Sequence, residues 1–153
     1  MNQIVKKYYD DHAEEEWKRL TQDAYHMLEF LVTIHYLDKH LPKKSGLILD
    51  AGGGPGRYTI HLAKKGYDVV LTDISPRCLE IAKREIKNVC VEDHVKKIIE
   101  GSITSLSEFA NELFDAVLCL GPLSHLLEKT EREKAAKELV RVAKKNATLF
   151  IRR

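Results

Sequence analysis

The sequence predicts an α/β domain built on a doubly wound parallel sheet, and three observations lead there. From residue 47 onward, strand-length apolar runs alternate with amphipathic helical stretches. The run Phe114–Leu120 is almost continuously apolar, as a strand buried on both faces requires. The first run, Leu47–Ala51, ends in a glycine-rich turn, Gly52-Gly53-Gly54-Pro55-Gly56, that opens a helical pattern. Alternation of this kind gives parallel strands joined by right-handed crossovers, with helices on both faces.

Each element has its own signal. From about Tyr9 to Leu41, Ala13, Trp17, Leu20, Ala24, Leu28, Leu31 and His35 recur at three- and four-residue steps, the period of one amphipathic helix or two. Thr21-Gln22-Asp23 offers a break and Pro42 stops the pattern. Residues 1–41 are therefore a helical appendage to a sheet domain over 42–153. The appendage either packs over one end of the core or forms a lid carrying Tyr8, Tyr9, His12 and Trp17. A helix over Gly56–Lys65, closed by Gly66, leads to the second strand, Tyr67–Asp73. Ser75 caps the next helix with Pro76 at its first position, and Leu79, Ala82, Ile86 and Val89 form its inner stripe. Val95–Gly101 is the third strand, a short helix covers 107–112, and Phe114–Leu120 is the fourth strand. Gly121-Pro122 breaks that run. Thr130 with Glu133 reads as a capping box, Leu139 and Val142 face inward, and Ala147–Ile151 is the fifth strand.

The glycine turn is where chemistry is expected. Glycine permits positive φ and removes the Cβ that would hold a ligand away, while a helix's first turn leaves amides unpaired; such a turn accepts an anionic or hydrogen-bonding ligand. Two ligand classes use it. A dinucleotide turn needs Gly-x-Gly-x-x-Gly, and counting from Gly52 and Gly54 puts Arg57 at the third glycine, which disfavours an NAD(P)-dependent oxidoreductase. Asp50-x-Gly52-x-Gly54-x-Gly56 instead resembles motif I of the class I S-adenosylmethionine-dependent methyltransferases. Leu120-Gly121-Pro122-Leu123-Ser124-His125-Leu126 is similar to the Gly-Pro-Leu-x-His-Leu stretch that a group of small methyltransferases carries after strand 4. The resemblance implies a Rossmann-like sheet of strand order 3-2-1-4-5. It also implies S-adenosylmethionine as cofactor, S-adenosylhomocysteine as product, and transfer of a methyl group to a small-molecule acceptor. The alternative from another class is a cofactor-binding module without its own turnover.

On that resemblance, Asp50, Ala51, Gly52, Gly53, Gly54, Gly56 and Arg57 make the cofactor turn, with Asp50 ordering the loop. Asp73, 23 residues after Asp50 at the end of the second strand, is placed to accept hydrogen bonds from ribose hydroxyls. Ile74 packs on the adenine. Ser102 stands where the family commonly has an acid for the adenine amino group, Ile103 offers its backbone amide, and Leu120 and Gly121 line the wall beside the sulfonium. Methyl transfer from a sulfonium is an in-line displacement, so the protein mainly aligns the acceptor and excludes water. His125, as a general base for a hydroxyl acceptor, and Tyr9, from the appendage, are the candidate catalytic residues. No metal is expected: the acid that binds one in catechol-type enzymes is missing after strand 4, and no His-Glu-x-x-His pattern occurs.

Bulk properties set the remaining bounds. At 153 residues the chain is one domain, and 44% hydrophobic with 31% charged residues is an ordinary globular balance. The net charge of +2 comes from Lys pairs scattered at 43/44, 64/65, 96/97 and 144/145, so no nucleic acid partner is indicated. Cys78, Cys90 and Cys119 suggest neither a disulfide framework nor a zinc site, which fits a reducing cytoplasm. No apolar stretch near the N-terminus is long enough to span a bilayer, so no membrane partner is expected. The family usually continues through two more strands, so the chain reads as truncated after the fifth, or as completing its sheet with a partner. Leu149, Phe150 and Ile151 would then lie at an open edge guarded only by Arg152 and Arg153, which suggests a homodimer through that edge.

Overall fold

A computed structural model describes residues 2–152, so Arg153 lies outside the described residues. Strands β1 (Leu47–Ala51), β2 (Asp68–Asp73), β3 (Val95–Glu100), β4 (Phe114–Leu120) and β5 (Ala143–Arg152) form one parallel sheet in the order 3-2-1-4-5. The central pair is β1 and β4, joined in the register Ile48↔Ala116 to Asp50↔Leu118. Their residues are buried on both faces, as the apolar run of β4 requires.

The period of two along each strand divides the core. Leu49, Ala51, Val117 and Cys119 face a layer made by Leu106, Phe109 and helix α6 (Lys129–Val142). Ile48, Val69, Ala116 and Leu118 face the opposite layer, where α3 (Ala24–His40) and α4 (Arg57–Lys64) contribute Leu37, Tyr58 and Leu62. Helix α5 (Pro76–Asn88) adds Leu79, Ala82 and Ile86 against Leu71. Ser75 caps α5 by accepting from the Cys78 amide at 3.0 Å, and Asp23 caps α3 by accepting from the His26 amide at 2.9 Å.

Several element expectations are corrected. The N-terminal segment is three helices, because α1 (Asn2–Asp11) and α2 (Ala13–Arg19) precede α3. The stripe that runs true through Ala13 and Leu20 does not continue: Leu28, Leu31 and His35 are exposed, while Phe30, Ile34, Leu37 and Leu41 meet the sheet. The cap at Asp23 restarts the helix and resets its phase, and α3 is apolar enough all round to offer two stripes of the same period. Val89 is exposed because it terminates α5. Helix α6 starts at Lys129 with Glu128 as N-cap, so Thr130 and Glu133 form no box there. Strand β5 starts at Ala143, four residues early, leaving α6 directly and taking a left-handed turn at Asn146.

Residues 107–112 are turns rather than a helix. The reason is Arg141. Its Nη2 donates to the Leu106 carbonyl at 2.8 Å and its Nη1 to the Phe109 carbonyl and Asn111 Oδ1 at 2.9 Å each. Glu138 holds Arg141 Nε at 2.8 Å and accepts from the Leu106 amide at 2.7 Å. The side chains thus take the backbone groups that a helix would have paired, and Leu106 and Phe109 remain buried. Arg141→Ala removes the side-chain donor from both carbonyls, leaving Leu106 O only the Phe109 amide, and should cost about 1–3 kcal/mol in urea unfolding. An unchanged midpoint would show that the loop is held by its apolar residues alone.

Candidate active site

The turn after β1 is shaped by two carboxylates. At Gly53 a Cβ would stand 2.4 Å from Asp50 Oδ2, so this position admits no side chain. Gly54 is different: its φ is +55° and nothing lies within 4 Å of where its Cβ would be, which leaves the backbone open to a ligand. The glycine amides of the turn are paired within the protein. The Gly52 and Gly53 amides donate to the Thr72 carbonyl at 2.7 and 3.1 Å, the Gly54 amide to Asp73 Oδ2 at 2.8 Å, and the Gly56 amide to the Gly53 carbonyl at 3.1 Å.

Asp50 is 1% exposed and accepts from Thr59 Oγ1 at 2.7 Å, tying the end of β1 to α4. Burial pushes its carboxyl up to about 6 against the Thr59 bond. Asp73 is also pushed up to about 6 by burial, against the backbone amides of Ser75 and Gly54 that bond to its two oxygens. A carboxylate has about four lone-pair sites, so two bonds to the backbone leave capacity for a vicinal pair of hydroxyls. With Ile74, Gly101, Ser102 and Ile103 lining the same wall, the donor set fits a nucleoside.

These residues belong to one cavity of about 940 Å³. It brings together Asp50, Gly52, Gly53, Gly54, Arg57, Asp73, Ile74, Ser102, Ile103, Leu120, Gly121, Tyr9 and His125. Ala51 is not among its walls and sits in the core, and Gly56 faces Ala82 beneath the turn. The Ser102 hydroxyl is shared with Thr104 Oγ1 at 2.9 Å. Of the four appendage residues named for a lid, Tyr8 and Tyr9 line the cavity. His12 stacks on Tyr8, and Trp17 lies under the Arg57 guanidinium, 3.5 Å from the ring centroid. Arg57 Nε also donates to the Trp17 carbonyl at 2.8 Å, so the residue that spoils a dinucleotide turn fastens α2 to α4.

Tyr9 and His125, 116 residues apart, meet: Tyr9 Oη lies 2.8 Å from His125 Nε2. Burial pushes the Tyr9 phenol up to about 12, with the charges of Glu16 and Asp73 adding to the shift. A phenol so held stays protonated at neutral pH, within hydrogen-bond reach of the imidazole. Sequence reasoning missed Glu16, Arg19, Glu29, Thr33, Tyr58 and Arg152, which also line the cavity. No motif links them, and only the sheet order and the fold of α3 bring them together. Among the described residues, no group of three side chains could hold a metal and no helix is long and apolar enough to cross a membrane.

The comparisons agree with this geometry. A family model described as a methyltransferase domain matches residues 49–151. The chain belongs to that family, the class I S-adenosylmethionine-dependent methyltransferases, whose cofactor is S-adenosylmethionine. A glycine/sarcosine N-methyltransferase of Parasynechococcus marenigrum is 34% identical over 105 residues, covering 68% of this chain and 36% of the relative. A ubiquinone/menaquinone biosynthesis C-methyltransferase of Zymomonas mobilis is 34% identical over 109 residues, covering 71% of this chain and 43% of its own. The chain thus spans well under half of these relatives. In fold it is similar to the magnesium protoporphyrin IX methyltransferase of Synechocystis PCC 6803 solved with bound cofactor. That likeness has a TM-score of 0.71 at 23% identity, over 93% of this chain and 71% of the other.

The raised pKa of Asp73 fixes a pH dependence. Its folded value of about 6 exceeds the ordinary 3.8, so the folded protein takes up a proton that the unfolded chain does not, and this contribution to stability is lost as pH rises through 6. Hydroxyls donating to Asp73 favour the charged form, so ligand binding expels that proton. S-adenosylhomocysteine should therefore bind about tenfold more weakly near pH 5 than near pH 7.5, by titration calorimetry. Asp73→Asn should flatten the profile, and a wild-type affinity independent of pH would remove Asp73 from the ribose.

Proposed function

We propose that the chain transfers a methyl group from S-adenosylmethionine to a small-molecule acceptor. The observation that carries this reading is a single cavity with a ribose-type carboxylate, Asp73, on one wall and the Tyr9–His125 pair on another. The bound cofactor would supply an electrophilic methyl group on a sulfonium. Asp73 and the open Gly54 backbone would hold the nucleoside, and Leu120 with Gly121 would wall the reacting carbon. An acceptor bearing an N–H or O–H must lose its proton during the transfer. Tyr9 Oη can take that proton while passing its own to His125 Nε2, through the 2.8 Å contact already in place. The reading is supported by curated relatives named as a glycine/sarcosine N-methyltransferase and a ubiquinone/menaquinone biosynthesis C-methyltransferase.

The appendage supports a lid role. Asp10 of α1 accepts from Ser75 Oγ at 2.6 Å beside Asp73, and Tyr9 follows from the other side of the cavity. Removing residues 1–20 should therefore weaken the cofactor complex while leaving the sheet folded. We further place the chain in the cytoplasm, which suits its three unpaired thiols, and read the outer edge of β5 as a site for a second copy. Among the described strands nothing pairs with that edge, and Ile151 is 48% exposed. Light scattering at micromolar concentration should give about twice the 17.5 kDa chain mass, and a particle of 17.5 kDa would end the dimer reading.

The deciding experiment is calorimetry with S-adenosylhomocysteine and with NAD, followed by radiolabelled methyl transfer to pools of small metabolites. Binding of the first and not the second is expected. Tyr9→Phe should then lower kcat by about 100-fold with the cofactor Kd unchanged, since it removes the proton path alone. Tight binding without transfer to any pool would favour the binding module instead.

A further inference from the structure

The charged wall of the cavity is unexplained by the methyl-transfer geometry. Glu29 of α3 lies between two arginines from distant parts of the chain, Arg19 of α2 and Arg152 at the end of β5. Arg152 Nη2 holds Glu29 Oε1 at 2.8 Å, and Arg152 Nη1 reaches Thr33 Oγ1 at 3.4 Å. Arg19 is anchored through Nε to Glu16 Oε1 at 2.9 Å, but its Nη1 stands 3.2 and 3.3 Å from the two Glu29 oxygens. Ideal charge-assisted bonds of this type are about 2.7–2.9 Å, so the Arg19–Glu29 contact is the loose member of the set. No described residue accepts from Arg19 Nη2. All of these side chains are about a quarter to a third exposed and face the cavity. Tyr58, on the same wall, is buried with its hydroxyl unpartnered among the described residues, although a buried hydroxyl normally has a bond.

We propose that Glu29 is an internal stand-in for a ligand carboxylate, seated against Arg19 and giving up Arg19 when an acid group enters. Two glutamates balance two arginines in the cluster, so a further carboxylate is accommodated by exchange rather than by addition. Arg152 retains Glu29 through its short bond, and Arg19, fixed at Nε, presents its remaining N–H groups to the incoming acid. The shared ligand chemistry is an α-carboxylate. It comes either from the methionyl end of the cofactor or from a carboxylate-bearing acceptor, and the inference rests on the proposed cofactor reading.

The sign of one substitution separates exchange from a mere clasp. Glu29→Gln removes the competing charge, so S-adenosylhomocysteine should bind about three- to tenfold more tightly, and Arg19→Gln should weaken it about tenfold. Affinity for 5′-methylthioadenosine, which has the same nucleoside and no carboxylate, should stay unchanged in both variants. If the two nucleosides instead respond alike, sarcosine is titrated into protein saturated with S-adenosylhomocysteine. Tighter sarcosine binding in Glu29→Gln assigns the clamp to the acceptor. Parallel weakening of every ligand together with a lower Tm in Glu29→Gln overturns the proposal and makes the cluster a strut between α2, α3 and β5. Wild-type protein that binds neither nucleoside overturns the cofactor reading and this inference with it, whereas binding of 5′-methylthioadenosine with no discrimination in any arm overturns the inference alone.

Discussion

The bond between Gly54 N–H and the Asp73 carboxylate is the contact on which the site depends. It ties the turn after β1 to the end of β2, two strands already in register at Ala51↔Thr72, and so fixes the open backbone of Gly54 beside the acid. The same carboxylate accepts from the Ser75 amide, whose residue caps α5, and Ser75 Oγ in turn donates to Asp10 of α1. One buried acid thereby sets the turn, the start of a helix and the docking point of the appendage. A buried charge without such bonds would neutralise itself. Here burial and the amides pull in opposite directions and leave the group close to its titration point near pH 6, where a ligand's hydroxyls can tip it.

The hold on the N-terminal helices is graded. Arg84–Glu14 and Lys6–Glu100 are solvent-exposed ion pairs, and pairs of that kind add little to stability. The specific contacts are fewer: Arg57 against Trp17, Asp10 against Ser75, Tyr9 against His125. Each of them touches a residue of the cavity or its immediate neighbour. The helices are also packed on α5, where Ala13, Tyr9 and Trp17 meet Cys78 and Ile81, and Leu20, in the turn after α2, is the large apolar side chain that enters the cluster beneath α3 and α4.

The sheet was legible because its signals are local. A strand buried on both faces must be apolar at every position, and Phe114–Leu120 is; Ser75-Pro76 can hardly be anything but a helix start. What failed was set by partners far away in sequence. Residues 107–112 have helix-like spacing, yet Arg141 takes their carbonyls from 30 residues downstream. The exposure of Leu28 and Leu31 follows from where α3 lies on the sheet, which its own periodicity does not encode. In the site, Asp50, Asp73 and the glycines stood out because a motif keeps them together. Glu29, Arg19 and Arg152 did not, since isolated charges in helices and at a strand end read as surface until the chain is folded.

The occupation of the glycine amides bears on which ligand the turn can take. A pyrophosphate site works by presenting unpaired N–H groups to an anion. Here the Gly52, Gly53, Gly54 and Gly56 amides are all given to protein oxygens, and the turn is lined by the carboxyls of Asp50 and Asp73. The wall therefore offers acceptors where a dinucleotide needs donors. Phosphates would meet two acids across a low-dielectric gap, whereas hydroxyls and a positive centre would be met by them. A ribose joined to a sulfonium has that pattern: donors at one end, a cation at the other, and no phosphate between. Arg57 completes the distinction, because the side chain that stands where a dinucleotide turn needs its third glycine is held against Trp17, by its stacking and by the bond from Nε to the Trp17 carbonyl.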